Sequence, residues 1–162
     1  MKFLRSISLV AVVALALAFN GCKKDDDSKP EAQVQLEKLS KEWNLTSATL
    51  DGAARTDFQN VKLTISGSFN SSTPLGPYTY RFTGTFPQPS PWPKDNNTWS
   101  FGEGAVQSVI IREPDDVQVN YTVSGNALTL TFNYTGAGFG GGVFARANQV
   151  GGEWVFNFEA AN

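Results

Sequence analysis

From Trp43 onwards the apolar side chains of this sequence fall on every second position, run after run. Val61, Leu63 and Ile65 are separated by Lys62 and Thr64, Tyr78, Tyr80 and Phe82 by Thr79 and Arg81, and Trp154, Phe156 and Phe158 by Val155 and Asn157. A period of two sends alternate side chains to opposite faces of an extended chain, so each run predicts a strand with one buried and one water-facing side. Trp43 to Leu50 reads as another strand, ended by Asp51-Gly52. Thr98 to Phe101 and Val106 to Arg112 read as two shorter ones, with a turn at Glu113-Pro114-Asp115-Asp116. The clearest unit runs from Val117 to Tyr134. Val117, Val119, Tyr121 and Val123 alternate with polar residues, Ser124-Gly125-Asn126 reverses the chain, and Leu128, Leu130, Phe132 and Tyr134 alternate on the way back. That is the pattern of an antiparallel hairpin. Val143 to Val150 fits either a strand paired to the last one through Gly151-Gly152 or a helical turn, and the strand is the preferred reading.

One segment carries a helical period. Ala32, Leu36, Leu39 and Trp43 fall at i, i+4, i+7 and i+11, a single apolar stripe. Ser28 is placed to cap this helix, Pro30 suits its first turn, and Glu31, three residues after Ser28, completes a capping box. The helix is expected to lie over one end of the β-structure. Eight or nine short strands with turn residues between them, and no helix among them, predict an all-β fold. The expectation is an antiparallel up-and-down barrel or sandwich of about eight strands with a short N-terminal helix. The interior of such a barrel is just wide enough for its own side chains or for one small ligand.

The first 21 residues have a different character. Lys2 and Arg5 precede Ile7 to Ala18, a run of 12 residues that is apolar but for Ser8. A bilayer of ~30 Å needs about 20 apolar residues to cross, so this run fits the core of a signal peptide better than a membrane span. Phe19-Asn20-Gly21-Cys22 follows it and resembles the lipobox of bacterial lipoproteins, in which small residues precede a cysteine that is lipidated and becomes the new N-terminus. The resemblance implies cleavage before Cys22 and a membrane partner engaged through an N-terminal lipid. Lys23-Lys24-Asp25-Asp26-Asp27-Ser28 then resembles the export signal of Bacteroidetes surface lipoproteins, a lysine or serine beside two or three acids just after the lipidated cysteine. It implies an outer-membrane lipoprotein displayed at the cell surface. The alternative is a solvated tether facing the periplasm. The expected organisation is a signal peptide over 1–21, a lipidated tether over 22–30 and a β-barrel domain over 31–162.

Leu39-Ser40-Lys41-Glu42-Trp43-Asn44-Leu45, running into the first strand and Asp51-Gly52, resembles the opening of the lipocalin-like lipoprotein domains of Bacteroidetes. In that family a tryptophan on the first strand plugs one end of the barrel. Gly152-Glu153-Trp154-Val155-Phe156-Asn157-Phe158 is similar to the family's closing strand. What the resemblance implies is a lipocalin-like fold over most of Leu36 to Phe158. It carries no ligand with it, and Lys41 stands where true lipocalins have a glycine.

Composition narrows the chemistry. The chain has no histidine, and its one cysteine is Cys22, so the domain beyond the tether has no imidazole, no thiolate and no disulfide. Loss of the segment holding Lys2 and Arg5 leaves 11 basic against 15 acidic side chains, a net charge of −4. A mildly acidic body does not attract phosphate backbones, so nucleic acid is not an expected partner. An enzyme built from what remains would need a pair of carboxylates or a serine with a lysine base. The acids of the body, Asp51, Asp57, Asp95, Glu103, Glu113, Asp115, Asp116, Glu153 and Glu159, mostly fall in turns or at strand ends, where such residues shape turns and keep the surface wet. Asp95-Asn96-Asn97 and Asp115-Asp116 offer oxygen ligands but lack the spacing of a calcium loop. Gly136 to Gly142 lacks the Lys-Ser/Thr of a phosphate loop. No catalytic residue, metal or cofactor is therefore expected.

The segment with a possible site is Phe86-Pro87-Gln88-Pro89-Ser90-Pro91-Trp92-Pro93. Its prolines hold it extended at low entropic cost. Trp92, with Trp99 beyond the loop, is either an outward platform for a glycan, small molecule or protein, or a plug folded across the barrel mouth. Tryptophan is strongly buried on average, which favours the plug. The function that follows is a membrane-anchored, non-enzymatic binding or structural domain. The alternatives are a binder of a small apolar or carbohydrate ligand in or at the mouth of the barrel and, less favoured, a carboxylate-pair enzyme.

Overall fold

The computed structural model describes residues 28–140 and 150–162. The proposed signal peptide, Cys22, the run Lys23, Lys24, Asp25, Asp26 and Asp27, and nearly all of the ambiguous 143–150 stretch lie outside these residues. Among the described residues the order is α1 (Glu31–Leu39), β1 (Glu42–Leu50), β2 (Ala53–Arg55), β3 (Gln59–Ser66), β4 (Tyr78–Thr85), β5 (Asn97–Phe101), β6 (Val109–Arg112), β7 (Val117–Ser124), β8 (Ala127–Tyr134) and β9 (Gly152–Ala160).

With β2 set aside, every strand from β1 and β3 onwards pairs antiparallel with the next in sequence, and β9 pairs back with β1. The sheet is thus an eight-stranded closed up-and-down barrel, not a sandwich. The short β2 adds a ninth strand to the far half of β1, opposite Ala48 to Leu50. Its three residues have no alternation to read, which is why sequence periodicity passes over it.

Two irregularities bend the sheet round. On β1, Leu45 faces Phe158 but Ser47 faces Asn157, so Thr46 is an extra residue. Its hydroxyl donates to the Asn157 carbonyl at 2.9 Å. The bulge reverses the parity of the strand, and Trp43 and Ala48 both face inward. On β3, Gln59 faces Thr85 and Lys62 faces Thr83, which leaves Asn60 and Val61 opposite Gly84. Such bulges supply the local twist that closure needs. Inside the ring, Trp43, Leu63, Tyr80, Phe82, Leu130, Phe132, Trp154 and Phe156 make one continuous core.

The helix starts later than the capping box predicts. Pro30, with φ −50° and ψ 142°, occupies the cap position without a side-chain bond, and Glu31 is the first helical residue. Because Pro30 sets the boundary, Ser28 is too far upstream to cap. The Pro30 carbonyl accepts from the Val34 amide at 3.1 Å, and the Glu31 carboxylate binds Gln107 on the β5–β6 connection. Ala32, Leu36 and Leu39 are buried as the stripe predicts. Trp43 belongs to β1, and its indole N–H donates to the Leu39 carbonyl at 3.0 Å, so it satisfies a carbonyl at the end of the helix. The helix closes the end of the barrel that also carries the β3–β4, β5–β6 and β7–β8 connections. β6 also starts later than predicted, at Val109, because Val106 to Ser108 belong to a turn closed by the Ser108 and Val109 amides on the Ala105 carbonyl.

Candidate functional site

The opposite end of the barrel carries the β4–β5 connection, the β6–β7 turn and the β8–β9 connection. The proline segment lies in the first of these. Pro89, Ser90, Pro91, Trp92 and Pro93 are all buried, whereas Lys94 to Asn96 are exposed. Two bonds join this segment to the β8–β9 connection: the Ser90 amide donates to the Phe139 carbonyl at 2.9 Å, and the Phe139 amide to the Ser90 carbonyl at 2.7 Å. The two loops touch closely. A Cβ on Gly138, whose φ is +85°, would lie 2.6 Å from the Pro89 Cβ.

This pairing turns Trp92 into the barrel, where it is 3% exposed. Its ring lies 4.9 Å from Phe132, 5.0 Å from Phe82, 5.9 Å from Tyr80 and 6.0 Å from Phe156, centroid to centroid. Trp99, 1% exposed, packs at 5.1 Å on Tyr78 and donates its indole N–H to the Thr79 carbonyl at 3.3 Å. Neither tryptophan faces outward: Trp92 is the plug, the favoured of the two readings, and the outward platform is not formed. The reason is the Ser90–Phe139 bridge, which holds the loop over the mouth and which nothing in the local sequence announces.

Beneath Trp92 sits Arg112, the residue that sequence reasoning missed. It is 1% exposed. Its Nε and Nη2 donate to the two Asp115 carboxylate oxygens at 2.7 and 2.6 Å, and Nη1 donates to the Pro91 carbonyl at 2.6 Å. The guanidinium carbon lies 4.7 Å from the Trp92 ring centroid, 5.3 Å from Phe132, 5.4 Å from Tyr134 and 5.6 Å from Phe139. A buried charge needs a partner, and Asp115, on the β6–β7 turn, supplies it. The signal was present in the sequence: Arg112 shares the inward parity of Ile110, and an acid follows three residues later.

Between α1 and Trp92 the barrel keeps a cavity of about 20 Å³, walled by carbon atoms of residues that include Leu39, Leu63, Tyr80, Trp99, Arg112 and Leu130. That is room for about one water, and an apolar wall keeps such a space dry. Two of the lining residues carry polar atoms, Tyr80 Oη and Trp92 Nε1, that have no hydrogen-bond partner among the described residues. Burial pushes the Tyr80 hydroxyl well above its ordinary pKa, so it stays a neutral donor.

Apart from Asp115, acids form local pairs and turn contacts away from Trp92. Asp51 turns the chain after β1, and its carboxylate accepts the Glu153 amide at 2.8 Å. Glu42 pairs with Lys62 at 2.7 Å and Glu37 with Lys29 at 2.8 Å on the surface, while Asp57 pairs with Arg55. Among the described residues no three acids are placed to hold a metal ion together. The architecture is therefore a small up-and-down barrel closed at one end by a helix and at the other by a loop-borne tryptophan. Comparison with protein-family models, with curated proteins and with solved structures returns no match.

Proposed function

We propose that this chain is the precursor of a bacterial outer-membrane lipoprotein, displayed at the cell surface, whose barrel acts as a non-enzymatic binding or structural domain. The observation that carries the reading is the order of segments at the N-terminus: Lys2 and Arg5, the apolar run to Ala18, Gly21-Cys22, then two lysines and three aspartates. The lipocalin-like resemblance of the barrel's first and last strands is in keeping with it. The non-enzymatic half rests on composition, with no histidine and a single cysteine placed to carry lipid. Among the described residues no helix is long and apolar enough to cross a membrane.

Each buried methylene adds ~0.8 kcal/mol of membrane affinity, and one acyl chain holds only reversibly, so a cysteine with two or three chains makes a durable anchor. From Cys22 to Pro30 the tether spans at most ~30 Å at ~3.4 Å per residue, which keeps the domain close to the membrane. Cys22→Ser should abolish incorporation of labelled fatty acid and leave the protein as unprocessed precursor or release it from the membrane fraction. Equal labelling of wild type and variant would overturn the proposal.

A further inference from the structure

We infer that Trp92 and the Pro91 carbonyl occupy a ligand site of the barrel, and that a planar aromatic molecule bearing an acceptor oxygen replaces them when the proline loop withdraws. The inference rests on the binding half of the proposed function.

The groups that receive the indole all come from strands: Tyr80 and Phe82 from β4, Arg112 from β6, Phe132 from β8 and Phe156 from β9. The indole itself comes from a loop. Withdrawal of the loop would therefore leave an aromatic slot with walls set by the sheet, enlarged by the cavity of about 20 Å³ that already borders Trp92. Loops move more readily than the strands beneath them.

Withdrawal would also remove a hydrogen bond. The Pro91 carbonyl is the acceptor for Arg112 Nη1, and without it that donor is open to another acceptor. Among the described residues Tyr80 Oη lacks an acceptor even with the loop in place, as does Trp92 Nε1. Buried donors are normally paired, so the indole is an imperfect occupant of its own slot. It fills the volume and leaves two polar groups unserved. An outside ligand does better if it presents a flat apolar body to the rings and the guanidinium and an oxygen to Arg112 Nη1, with a second lone pair or oxygen for Tyr80 Oη. Trp92 Nε1, once outside, is served by water. Asp115 already balances the arginine charge, so a carbonyl oxygen suffices, and a carboxylate adds a second acceptor.

The plug competes with the ligand, so affinity is reduced by the fraction of molecules with the loop withdrawn. Indole-3-acetate, which joins an indole to a carboxylate, is the probe. In the full chain labelled with 5-fluorotryptophan, and with the Trp92 resonance assigned by Trp92→Phe, saturation should move that resonance to a solvent-exposed position. The resonances of Trp43 and Trp154 should move little. Trp92→Ala should bind the probe at least about tenfold more tightly, because the competing plug is gone. Gly138→Ala, which forces Pro89 away from the β8–β9 connection, tests the same point with the plug retained and should also tighten binding. Arg112→Met in the Trp92→Ala background should lose about tenfold for indole-3-acetate and little for indole. Failure of the probe to bind the wild type at millimolar concentration, or binding that leaves Trp92 buried, overturns the inference. Either result leaves fatty-acid labelling at Cys22 untouched, so the anchoring proposal stands or falls separately.

Discussion

Arg112 gathers most of what distinguishes this barrel from one filled by hydrocarbon alone. Its guanidinium is out of water, and its bidentate partner Asp115 is 23% exposed, so the pair spans the boundary of the core. Removing one member of a buried pair strands the other. Asp115→Ala should cost about 3 kcal/mol, the low end for such pairs because of that partial exposure, as read by urea denaturation. Arg112→Met should cost much less, since an apolar chain of similar length refills the space and Asp115 reaches water. Trp92→Ala removes a buried indole from among four aromatic rings and should cost about 3 to 5 kcal/mol. That corresponds to a fall of roughly ten degrees or more in melting temperature. Near-wild-type melting, with iodide quenching Trp92 fluorescence in the native protein, would contradict its role as plug. At this scale the sequence was only half legible. The inward parity of Arg112 is written in the alternation, but the burial of Trp92 depends on Ser90 and Phe139, which meet only in the folded chain.

Among the elements, legibility followed the regularity of alternation. β7 and β8 lie within a residue of where their apolar positions put them, because a two-residue turn at Gly125-Asn126 leaves no slack in the register, and Ser124 faces Ala127. β2 and the start of β6 could not be read this way. β2 is too short to alternate, and the Ala105 turn takes up residues whose side chains would suit a strand. The capping box failed because a proline at the boundary overrides a serine two positions upstream. The bulges were invisible too, since an extra residue is recognised only against its partner strand. The β3–β4 bulge is the one most open to test. Gly84 has φ +101°, and a Cβ there would lie 2.5 Å from the Asn60 carbonyl oxygen. Gly84→Ala should therefore destabilise by about 1 to 3 kcal/mol, visible as a lowered urea midpoint with unchanged slope. A neutral result would mean that the bulge relaxes without loss.

For the whole molecule, the up-and-down barrel with its helix was legible from period and turn spacing, and the choice against a sandwich was made by the β1–β9 pairing. On the proposed reading, where the domain stands in the cell is set by the residues ahead of it. Replacing Asp25, Asp26 and Asp27 by alanine should preserve lipidation and move the protein from the cell surface to the inner leaflet, as read by protease shaving of intact cells. Unchanged shaving would reduce the acidic run to a solvated linker. The β1–β9 seam has a further consequence, one in time. Trp43 lies opposite Ala160, so the strand that begins the ring is completed by the strand that ends it. Until Gly152 to Ala160 are available, β1 and β8 are both open edges able to recruit a neighbouring chain. Contacts this distant in sequence form late and slowly. Every newly made copy therefore passes through an open-edged stage, the form that chaperones and neighbouring chains meet first, and only its final strand brings that stage to an end.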